Sequence, residues 1–312
     1  MMKKIATREA YGQALVALGR ENADVVVLDA DLSKSTKTIE FKKAFPERFF
    51  DMGIAEANMV GTAAGLAAAG KTPFCSTFAV FATGRTYDQI RQSVAYPHLN
   101  VKIAATHAGL TVGEDGASHQ SVEDIALMRV LPGMTVFVPA DAVEVHGAVA
   151  AAVRIDGPVY IRLGRMAVPI LHSDDFKFVP GRAVELRPGT DVTIIACGIM
   201  VAEALKAAED LAAEGVSAAV LNIHTIKPLD VAAVTEAARK TGAVVTAEEH
   251  SIIGGLGSAV AEALVENCPV PLVRVGVRDT FGESGKPDEL LLKYGLTAGD
   301  IVTAVRQVLG RK

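Results

Sequence analysis

The sequence feature that most constrains the fold is a regular alternation of short apolar runs with longer amphipathic stretches along the chain. The short runs are typical of buried strands, and the longer stretches have the length and periodicity of helices. Strands that alternate with such helices favour an α/β fold, with a mostly parallel sheet covered on both faces. In the first half, the predicted strands are Asp24–Asp29, Val101–Thr106, Thr135–Pro139 and Val159–Leu163, and the predicted helices are Arg8–Glu21, Ile54–Ala69, Tyr87–Tyr96, Ser121–Val130 and Ala142–Arg154.

The alternation is interrupted once, where prolines, glycines and aspartates cluster between Met166 and Gly189. Such clusters mark loops, and a chain of 312 residues has the length of about two domains. We therefore predict a first domain over residues 1–168, a linker over 169–190 and a smaller α/β domain over 191–312. In the second domain, the predicted strands are Val192–Cys197, Ala218–Asn222, Ala243–Glu248 and Val270–Val275, and the predicted helices are Met200–Glu214, Asp230–Thr241, Leu256–Glu266 and Thr297–Leu309.

Composition and charge exclude several classes of protein. A hydrophobic content of 50% provides a large core and excludes disorder as the main state. The net charge of −5 leaves no basic excess for a nucleic-acid partner. The three cysteines are too far apart for a disulfide framework or a four-ligand zinc site. No apolar run reaches the roughly 18 residues that span a bilayer, and no signal-peptide pattern is present. We therefore expect a cytoplasmic protein without a membrane partner.

One predicted helix, Ile54–Ala69, has almost no polar face. After Asn58 its residues are small and apolar nearly all round, which indicates a helix that is buried or packed against another subunit. Glu56 lies at its start. A carboxylate in a first helical turn often only complements the helix dipole. In a buried helix, however, desolvation disfavours the charged form and raises the pKa, which suits proton transfer. Glu56 is therefore a candidate catalytic residue.

A second candidate region is the glycine-rich segment from Thr106 to Gln120, which follows a predicted buried strand. Open α/β sheets place their ligand crevice at the carboxyl ends of such strands. A lone histidine is usually structural, but this segment contains two histidines together with two acidic residues. A functional role is therefore as well supported as a structural one. The spacing matches no standard set of metal ligands, so we predict no metal site.

Three arginines are further candidates. Arg162 and Arg165 lie at and just beyond the predicted strand Val159–Leu163, and Arg8 lies near the start of a helix. Guanidinium groups bind phosphate or carboxylate well. Exposed ion pairs would explain these residues equally well, so both interpretations stay open.

Two other motifs carry little weight. The run Gly-Gly-Leu-Gly-Ser-Ala at 254–259 follows a strand and opens a helix, like a dinucleotide-binding loop. However, Val260 stands where the last small residue of that motif belongs. The cysteines lie in or beside predicted strands, where buried, unreactive thiols are typical.

Taken together, the motifs resemble the transketolase family of thiamine diphosphate enzymes over essentially the whole chain. The resemblance implies a thiamine-diphosphate-fold pyrimidine-binding domain followed by a transketolase C-terminal domain. The blocks that carry it are Gly53-Ile54-Ala55-Glu56, Thr77-Phe78-Ala79-Val80-Phe81, Thr106-His107, Gly113-Glu114-Asp115-Gly116-Ala117-Ser118-His119-Gln120, Leu131-Pro132-Gly133 and Pro139-Ala140-Asp141.

The resemblance also implies roles for individual residues. Glu56 matches the glutamate that hydrogen-bonds the aminopyrimidine ring of thiamine diphosphate and promotes its imino tautomer, while the cofactor supplies the carbanion chemistry. Phe78 and Phe81 match aromatic residues that pack on this ring. Gly84 stands where many members have a third ring, and Tyr87 follows further on.

The remaining matches concern the substrate and the surroundings of the cofactor. Four residues match the groups that hold a sugar phosphate in transketolases, namely Arg8, Ser35, His107 and Arg165. Two more, Asp115 and His119, match residues that contact the hydroxyls of the sugar and the reacting centre, and His119 is with Glu56 the second candidate catalytic residue. Asp31 matches a position near the cofactor.

One motif of the family is missing. The sequence contains no Gly-Asp-Gly, the motif through which similar enzymes bind Mg²⁺ and the diphosphate. The resemblance therefore implies a separate N-terminal subunit that holds Mg²⁺ and the diphosphate, and self-association through the pyrimidine domain in an α2β2 assembly. We predict the C-terminal subunit of a split transketolase that moves a two-carbon ketol unit between sugar phosphates. Alternatives are a component resembling 1-deoxyxylulose-5-phosphate synthase, a 2-oxo-acid dehydrogenase β subunit and a non-catalytic dimerisation subunit.

Overall fold

The structure, a computed structural model, describes residues 3–312. The strands are β1 (Lys4–Ala6), β2 (Val25–Asp29), β3 (Phe49–Asp51), β4 (Thr72–Ser76), β5 (Lys102–Ala105), β6 (Thr135–Phe137), β7 (Val159–Arg162), β8 (Ala167–Pro169), β9 (Val184–Arg187), β10 (Val192–Ala196), β11 (Ala218–Asn222), β12 (Thr225–Lys227), β13 (Val244–Ser251) and β14 (Leu272–Val277). The α-helices are α1 (Thr7–Glu21), α2 (Ser33–Thr36), α3 (Ile39–Ala44), α4 (Glu56–Ala68), α5 (Tyr87–Gln89), α6 (Asp124–Arg129), α7 (Ala142–Arg154), α8 (Met200–Ala213), α9 (Val231–Thr241), α10 (Leu256–Asn267), α11 (Pro287–Lys293) and α12 (Ala298–Leu309).

The larger sheet has seven strands in the order β12-β6-β7-β5-β4-β2-β3. Every pair is parallel except β12 with β6, which is antiparallel. Alternate residues of each strand point to opposite faces, so the two faces have separate cores. Helices α1, α3 and α7 cover one face, and α4 and α6 cover the other. The predicted α/β architecture, with helices on both faces of a mostly parallel sheet, is confirmed.

The smaller sheet has five strands in the order β14-β13-β10-β11-β9, and only β9 is antiparallel to its neighbour. Helices α8 and α12 pack on one face, and α9 and α10 pack on the other. A third, two-stranded sheet pairs β1 with β8 in antiparallel fashion.

The two halves of the chain are closely joined. Strand β12 follows β11 of the smaller sheet in the chain, but it completes the edge of the larger one by pairing with β6. In the opposite direction, Leu110 and Val122 of the first half lie in the core beneath α8 and α12. Strand β9 lies within the segment 169–190 that we predict to be a linker, and the rest of that segment is largely irregular. The exact domain boundaries stay a prediction.

The structure contains elements that the sequence did not predict, namely β1, β3, β4, β8, β9, β12, α2, α3 and α11, and one predicted helix has a different form. Strand β4 occupies a central position in the larger sheet and was missed, because Pro73 is atypical of an interior strand. The predicted helix Tyr87–Tyr96 is the single turn α5 followed by a π-helical segment, Ile90–Ala95. A second π-helical segment, Phe81–Arg85, precedes it.

Among residues 3–312, no helix combines the length and the apolar composition that crossing a bilayer requires.

Candidate active site

The predicted site residues follow the carboxyl ends of neighbouring parallel strands. Phe78 comes two residues after β4, His107 two residues after β5, and Arg165 three residues after β7. Glu56 begins α4, a few residues after β3. Because the carboxyl ends of parallel strands meet at one edge of the sheet, this edge is where an α/β fold gathers functional groups. The topology thus explains why residues far apart in sequence lie together.

Four rings form the centre of the site. Phe78 stacks on His107 with ring centroids 3.8 Å apart and on Phe81 with centroids 6.0 Å apart. His119 lies edge-on to both phenylalanines, with centroid distances of 6.2 and 5.4 Å. The structure therefore joins the two predicted cofactor-binding rings to the two predicted histidines. Stacked and edge-on rings of this kind make a flat, apolar wall against which another ring can pack.

Glu56 is buried, with only 3% of its surface exposed. It is not isolated, since Nη1 of Arg85 donates a hydrogen bond to its Oε1 at 2.8 Å. The guanidinium carbon of Arg85 also lies 4.5 Å from the centroid of the Phe81 ring, a distance at which a cation is attracted to an aromatic face. The expectation of a desolvated carboxyl was therefore incomplete, because a cation accompanies it.

Sequence reasoning missed Arg85, whose place depends on local backbone geometry. It is the last residue of the π-helical segment Phe81–Arg85, and such wide turns are frequent at functional sites. Gly84 provides no third ring, and Tyr87 packs against the core below α4. The exposed side of Phe81 is therefore bordered by the guanidinium of Arg85 and not by another aromatic side chain.

His107 is held neutral by its surroundings. Burial lowers its pKa to about 3, and the nearby guanidinium groups of Arg8 and Arg165 and the ring of His119 add to this effect. Its Nδ1 lies 2.8 Å from the hydroxyl oxygen of Thr106, which fixes the orientation of the ring. At neutral pH this histidine offers a hydrogen-bonding group without charge.

Besides Arg85, the site has two further positive charges, those of Arg8 and Arg165. Arg8 donates from Nη1 to the backbone oxygen of Ser35 at 2.9 Å, while its buried Nε has no partner among the described residues. Burial lowers the pKa of Arg8, and the proximity of Arg165 lowers it further. Two guanidinium groups this close together favour an anion between or beside them.

Arg165 also borders the loop that contains Asp115, the acidic residue predicted to contact the substrate. We call residues 110–120 the substrate loop, after the role that the sequence predicts for Asp115 and His119. The Nη1 atom of Arg165 donates to the backbone oxygen of Val112 and lies 3.7 Å from a carboxylate oxygen of both Glu114 and Asp115. About a third of the Arg165 side chain is exposed, so the guanidinium remains accessible.

Asp31 lies on the loop that follows β2, and Ser35 lies in the short helix α2 that comes next. Asp31 is exposed. The loop is organised by Asp29, which sequence reasoning did not single out. The buried Asp29 carboxylate accepts hydrogen bonds from the backbone N–H of Leu32 and from the hydroxyls of Thr36 and Thr38. Its pKa is raised to about 6 by burial. Asp29 thereby fixes the loop that presents the backbone of Ser35 to Arg8.

For Arg162 the sequence left two interpretations open, a phosphate-binding role and an ion pair. In the structure, Arg162 forms a buried ion pair and hydrogen bonds within the protein. Its guanidinium donates to both carboxylate oxygens of Asp124, at 2.8 and 3.2 Å, and to the backbone oxygen of Glu249 at 2.8 Å. Tyr160 donates to the same carboxylate at 2.7 Å. We call these four residues the buried junction. The expectation of an exposed pair was wrong, because Arg162 is only 7% exposed and Asp124 is fully buried.

The loop that resembles a dinucleotide motif is filled by the protein itself. The carboxylate of Glu248 accepts hydrogen bonds from the backbone N–H groups of Leu256 and Gly257, both at 2.7 Å. A helix N-terminus that already holds a carboxylate has no free donors for a phosphate. This arrangement agrees with the low weight given to the motif. Cys75 and Cys197 are buried, and burial raises the pKa of the Cys75 thiol to about 12.

The donor set of the site suits a ring and an anion. A buried carboxyl, two phenylalanines and two histidines can hold a flat heteroaromatic ring, and two arginines can hold an anionic group. Residues 3–312 contain no group of three or more histidines, cysteines, aspartates or glutamates arranged to bind a metal ion.

Comparison with known proteins gives matches over nearly the whole chain. A family model described as "Transketolase, pyrimidine binding domain" matches residues 3–170, and one described as "Transketolase, C-terminal domain" matches residues 181–301. The 6-deoxy-6-sulfo-D-fructose transketolase subunit SqwH of Clostridium sp. (strain MSTE9) is 52% identical over 98% of this chain and 95% of its own length.

Two further matches have similar coverage. An apulose-4-phosphate transketolase subunit of Phocaeicola vulgatus is 42% identical over 94% of both chains. A solved structure described as "Split gene transketolase, inactive beta4 tetramer" is 63% identical and superposes with a TM-score of 0.93 over 98% of this chain and 99% of that chain.

Proposed function

Because the chain belongs to the transketolase family, we propose that it is the C-terminal subunit of a split, thiamine-diphosphate-dependent transketolase. In this proposal it acts with an N-terminal subunit to move a two-carbon ketol unit from a ketose phosphate to an aldose phosphate. The observation that carries the proposal is the connection of the buried Glu56, through Arg85, to the ring of Phe81, which lies beside the rings of Phe78 and His119.

The residues of the site fit the pyrimidine half of thiamine diphosphate. The rings of Phe78 and Phe81 would pack against the aminopyrimidine, and the carboxyl of Glu56 would hydrogen-bond a ring nitrogen and hold the proton there. The cofactor supplies, when bound, the nucleophilic carbon that carries the two-carbon unit. Buried carboxyl groups next to a ring are suited to this work, because water does not compete for the hydrogen bond.

The same residues do not fit the diphosphate half. Its charge requires a cation or several free backbone N–H groups. The sequence has no Gly-Asp-Gly motif, and residues 3–312 include no cluster that could hold a divalent ion. A partner that binds Mg²⁺ and the diphosphate is therefore part of the proposal.

Helix α4 presents a surface on which another subunit could pack. Met59, Val60, Ala63 and Ala64 are buried against the sheet. Gly61 and Gly65 are exposed on the other side. Apart from the backbone of the helix itself, no heavy atom of the described residues lies within 4 Å of the position that a Cβ would take at either glycine. Ile54, just before the helix, is 79% exposed. Small residues and a large exposed aliphatic side chain together favour close contact with a second backbone.

Association in solution is supported by a relative. The 63% identical structure is described as an inactive tetramer of β subunits, which is in keeping with a subunit that self-associates but needs a partner for activity. We propose an α2β2 assembly in which the pyrimidine domains contact one another, and a cytoplasmic location for the complex.

Arg8, His107 and Arg165 would bind the anionic end of the substrate, and Asp115 and His119 would contact its hydroxyl groups. Ser35 takes part by holding Arg8, and Asp31 would lie at the border with the cofactor. Relatives are named for a sugar phosphate and for a sulfonated sugar. Both substrates end in an oxyanion, which two guanidinium groups accept. We propose sugar phosphates as the substrates of this chain, and the sulfonated hexose as the second candidate.

Reconstitution tests the proposal. The chain would be co-purified with an N-terminal transketolase subunit and assayed with thiamine diphosphate, Mg²⁺ and a panel of ketose and aldose phosphates, together with 6-deoxy-6-sulfofructose. We expect ketol transfer only when both chains are present. Full activity of this chain alone would contradict the split-site proposal, and transfer of the sulfonated hexose alone would favour the second candidate.

A further inference from the structure

The segment between β14 and α11 lies directly on the substrate loop. We call residues 279–286 the C-terminal strap; it contains no helix or strand. The hydroxyl of Ser284 donates a hydrogen bond to the backbone oxygen of Glu114 at 2.7 Å. This bond joins the second half of the chain to one of the two acidic residues beside Arg165.

Gln120 makes a second connection between the two segments. Its side-chain amide donates to the backbone oxygens of Leu110 and Gly113, at 3.1 and 3.3 Å, and to that of Glu283 at 2.9 Å. The first two oxygens belong to the substrate loop and the third to the C-terminal strap. Because Gln120 is only 4% exposed, this amide links the segments from inside the protein.

Glycines allow the two segments to approach this closely. A Cβ on Gly116 would lie 3.4 Å from the backbone nitrogen of Ser284, and one on Gly282 would lie 1.9 Å from the side-chain oxygen of Gln120. Gly116 also has a φ of +78°, a value that favours glycine. A side chain at Gly282 would displace the Gln120 amide, and one at Gly116 would strain the backbone of the substrate loop.

The C-terminal strap is itself anchored to α11 and the residue after it. Lys293 forms an ion pair with Glu283, and the hydroxyl of Tyr294 donates to the backbone oxygen of Phe281 at 3.1 Å. Leu290 of α11 is buried in the core of the second half. The strap therefore has a fixed position from which it can hold the substrate loop.

From these contacts we propose that Ser284 and Gln120 are positioning residues, through which the C-terminal half sets the position of the substrate loop and of the Glu114 and Asp115 carboxylates beside Arg165. The proposal rests on the proposed function, since the substrate loop is taken to bind the sugar. Arg165 holds the loop on one side and the C-terminal strap holds it on the other. Substrate affinity then depends on the hydrogen bond from Ser284 to the substrate loop, although Ser284 itself touches neither substrate nor cofactor.

The test compares Ser284→Ala with Ser284→Thr in the complex with the N-terminal subunit. Loss of one hydrogen bond should raise KM for the sugar phosphates by about three- to tenfold, with kcat changed by less than about twofold and thiamine diphosphate affinity unchanged. Ser284→Thr keeps the hydroxyl and should restore KM. Ser173→Ala, which removes an exposed serine hydroxyl bonded to Asp175, is the matched control.

A second measurement tests whether Ser284 holds the substrate loop in place, and it requires no assay of activity. In the full chain, hydrogen exchange of the backbone amides of residues 113–120 should be faster by about three- to tenfold in Ser284→Ala than in the wild type, with exchange in α12 unchanged. Unchanged exchange would overturn the proposal, as would an unchanged KM in an active complex. If the wild-type complex transfers no ketol unit, the proposed function fails, while exchange still decides whether Ser284 holds the loop.

Discussion

The buried junction and the candidate active site meet at the carboxyl end of β7, and they differ in how completely their charges are paired. Arg162 of the junction is 7% exposed and donates to three oxygen atoms. Arg165, three residues later, is about a third exposed and has two carboxylates at 3.7 Å. Closed networks of this kind stabilise a fold, whereas open ones leave groups available for a ligand.

The same contrast applies to the carboxyl groups. Burial alone would raise the pKa of Asp124, but Arg162 and the hydrogen bonds of the junction bring it below its usual value. Glu56 has one cationic neighbour, Arg85, whose side chain is half exposed and can move away. The Asp124 carboxylate of the junction is held in its charged form. The Glu56 carboxyl of the site can exchange Arg85 for another hydrogen-bonding partner. The comparison predicts that changes in the two regions have different kinds of effect.

Glu56→Gln should give the largest effect. It keeps the size of the side chain but removes the proton-transfer group, so turnover of the complex should fall by about a hundred- to ten-thousandfold while the melting temperature stays close to that of the wild type. Steady-state kinetics and thermal unfolding measure the two quantities. Glu40→Gln, on the exposed side of α3, is the control. Substantial activity in Glu56→Gln would mean that the proton-relay role is wrong.

Arg162→Met should act on stability instead. It leaves Asp124 charged and buried without its partner, which should lower the free energy of unfolding by about 3 to 5 kcal/mol. The double variant Arg162→Met/Asp124→Asn should recover part of this loss, because no uncompensated charge remains. Urea denaturation of the single and double variants measures the difference. A double variant no more stable than Arg162→Met would argue against a charge effect.

Glu249 at the junction provides a pH-dependent prediction. Burial is the main reason that its pKa is raised to about 7. The folded chain therefore holds this proton more tightly than the unfolded chain, and its stability falls as the pH rises from the unfolded pKa toward 7. Glu249→Gln does not titrate, so its stability relative to the wild type should rise over that interval by up to about 3 kcal/mol.

Urea denaturation at several pH values between 5 and 8 tests this prediction. Glu236→Gln, on the exposed face of α9, is the control and should show a small difference from the wild type that is independent of pH. A pH-independent difference for Glu249→Gln as well would contradict the assignment of the raised pKa to this group.

Arg165→Ala should have the smallest effect of the four. It removes one charge-assisted contact to the anionic end of the substrate, so KM for phosphorylated acceptors should rise by about tenfold, and KM for unphosphorylated acceptors should change little. The fold should be unaffected, in contrast to Arg162→Met. Arg239→Ala, on the exposed last turn of α9, is the control. An equal rise for both kinds of acceptor would argue against a phosphate-binding role.

The sequence allowed much of the fold to be predicted, because the periodicity of buried strands and helices depends on local residue patterns. It did not reveal β4, since Pro73 weakens the strand pattern, or the pairing of β12 with the larger sheet, which depends on contacts across the chain. Among the site residues, Glu56 and the four members of the ring cluster, Phe78, Phe81, His107 and His119, could be selected from motifs.

Other features of the site depend on three-dimensional structure. Arg85 reaches Glu56 through a π-helical turn, which has no clear sequence signature. Whether Arg162 or Arg165 binds a ligand depends on which of them meets Asp124, and the sequence places them only three positions apart. The contact between Ser284 and the substrate loop joins residues 170 positions apart, a separation that no local pattern reports.

The measurement that tests the central claim most directly is thiamine diphosphate binding by isothermal titration calorimetry in the presence of Mg²⁺. The chain alone, the N-terminal subunit alone and their mixture would be titrated in parallel. If this chain contributes only the pyrimidine half of the site, tight binding appears in the mixture alone and is weakened there by Phe78→Ala. Tight binding by the isolated chain, or a mixture insensitive to Phe78→Ala, would contradict the account.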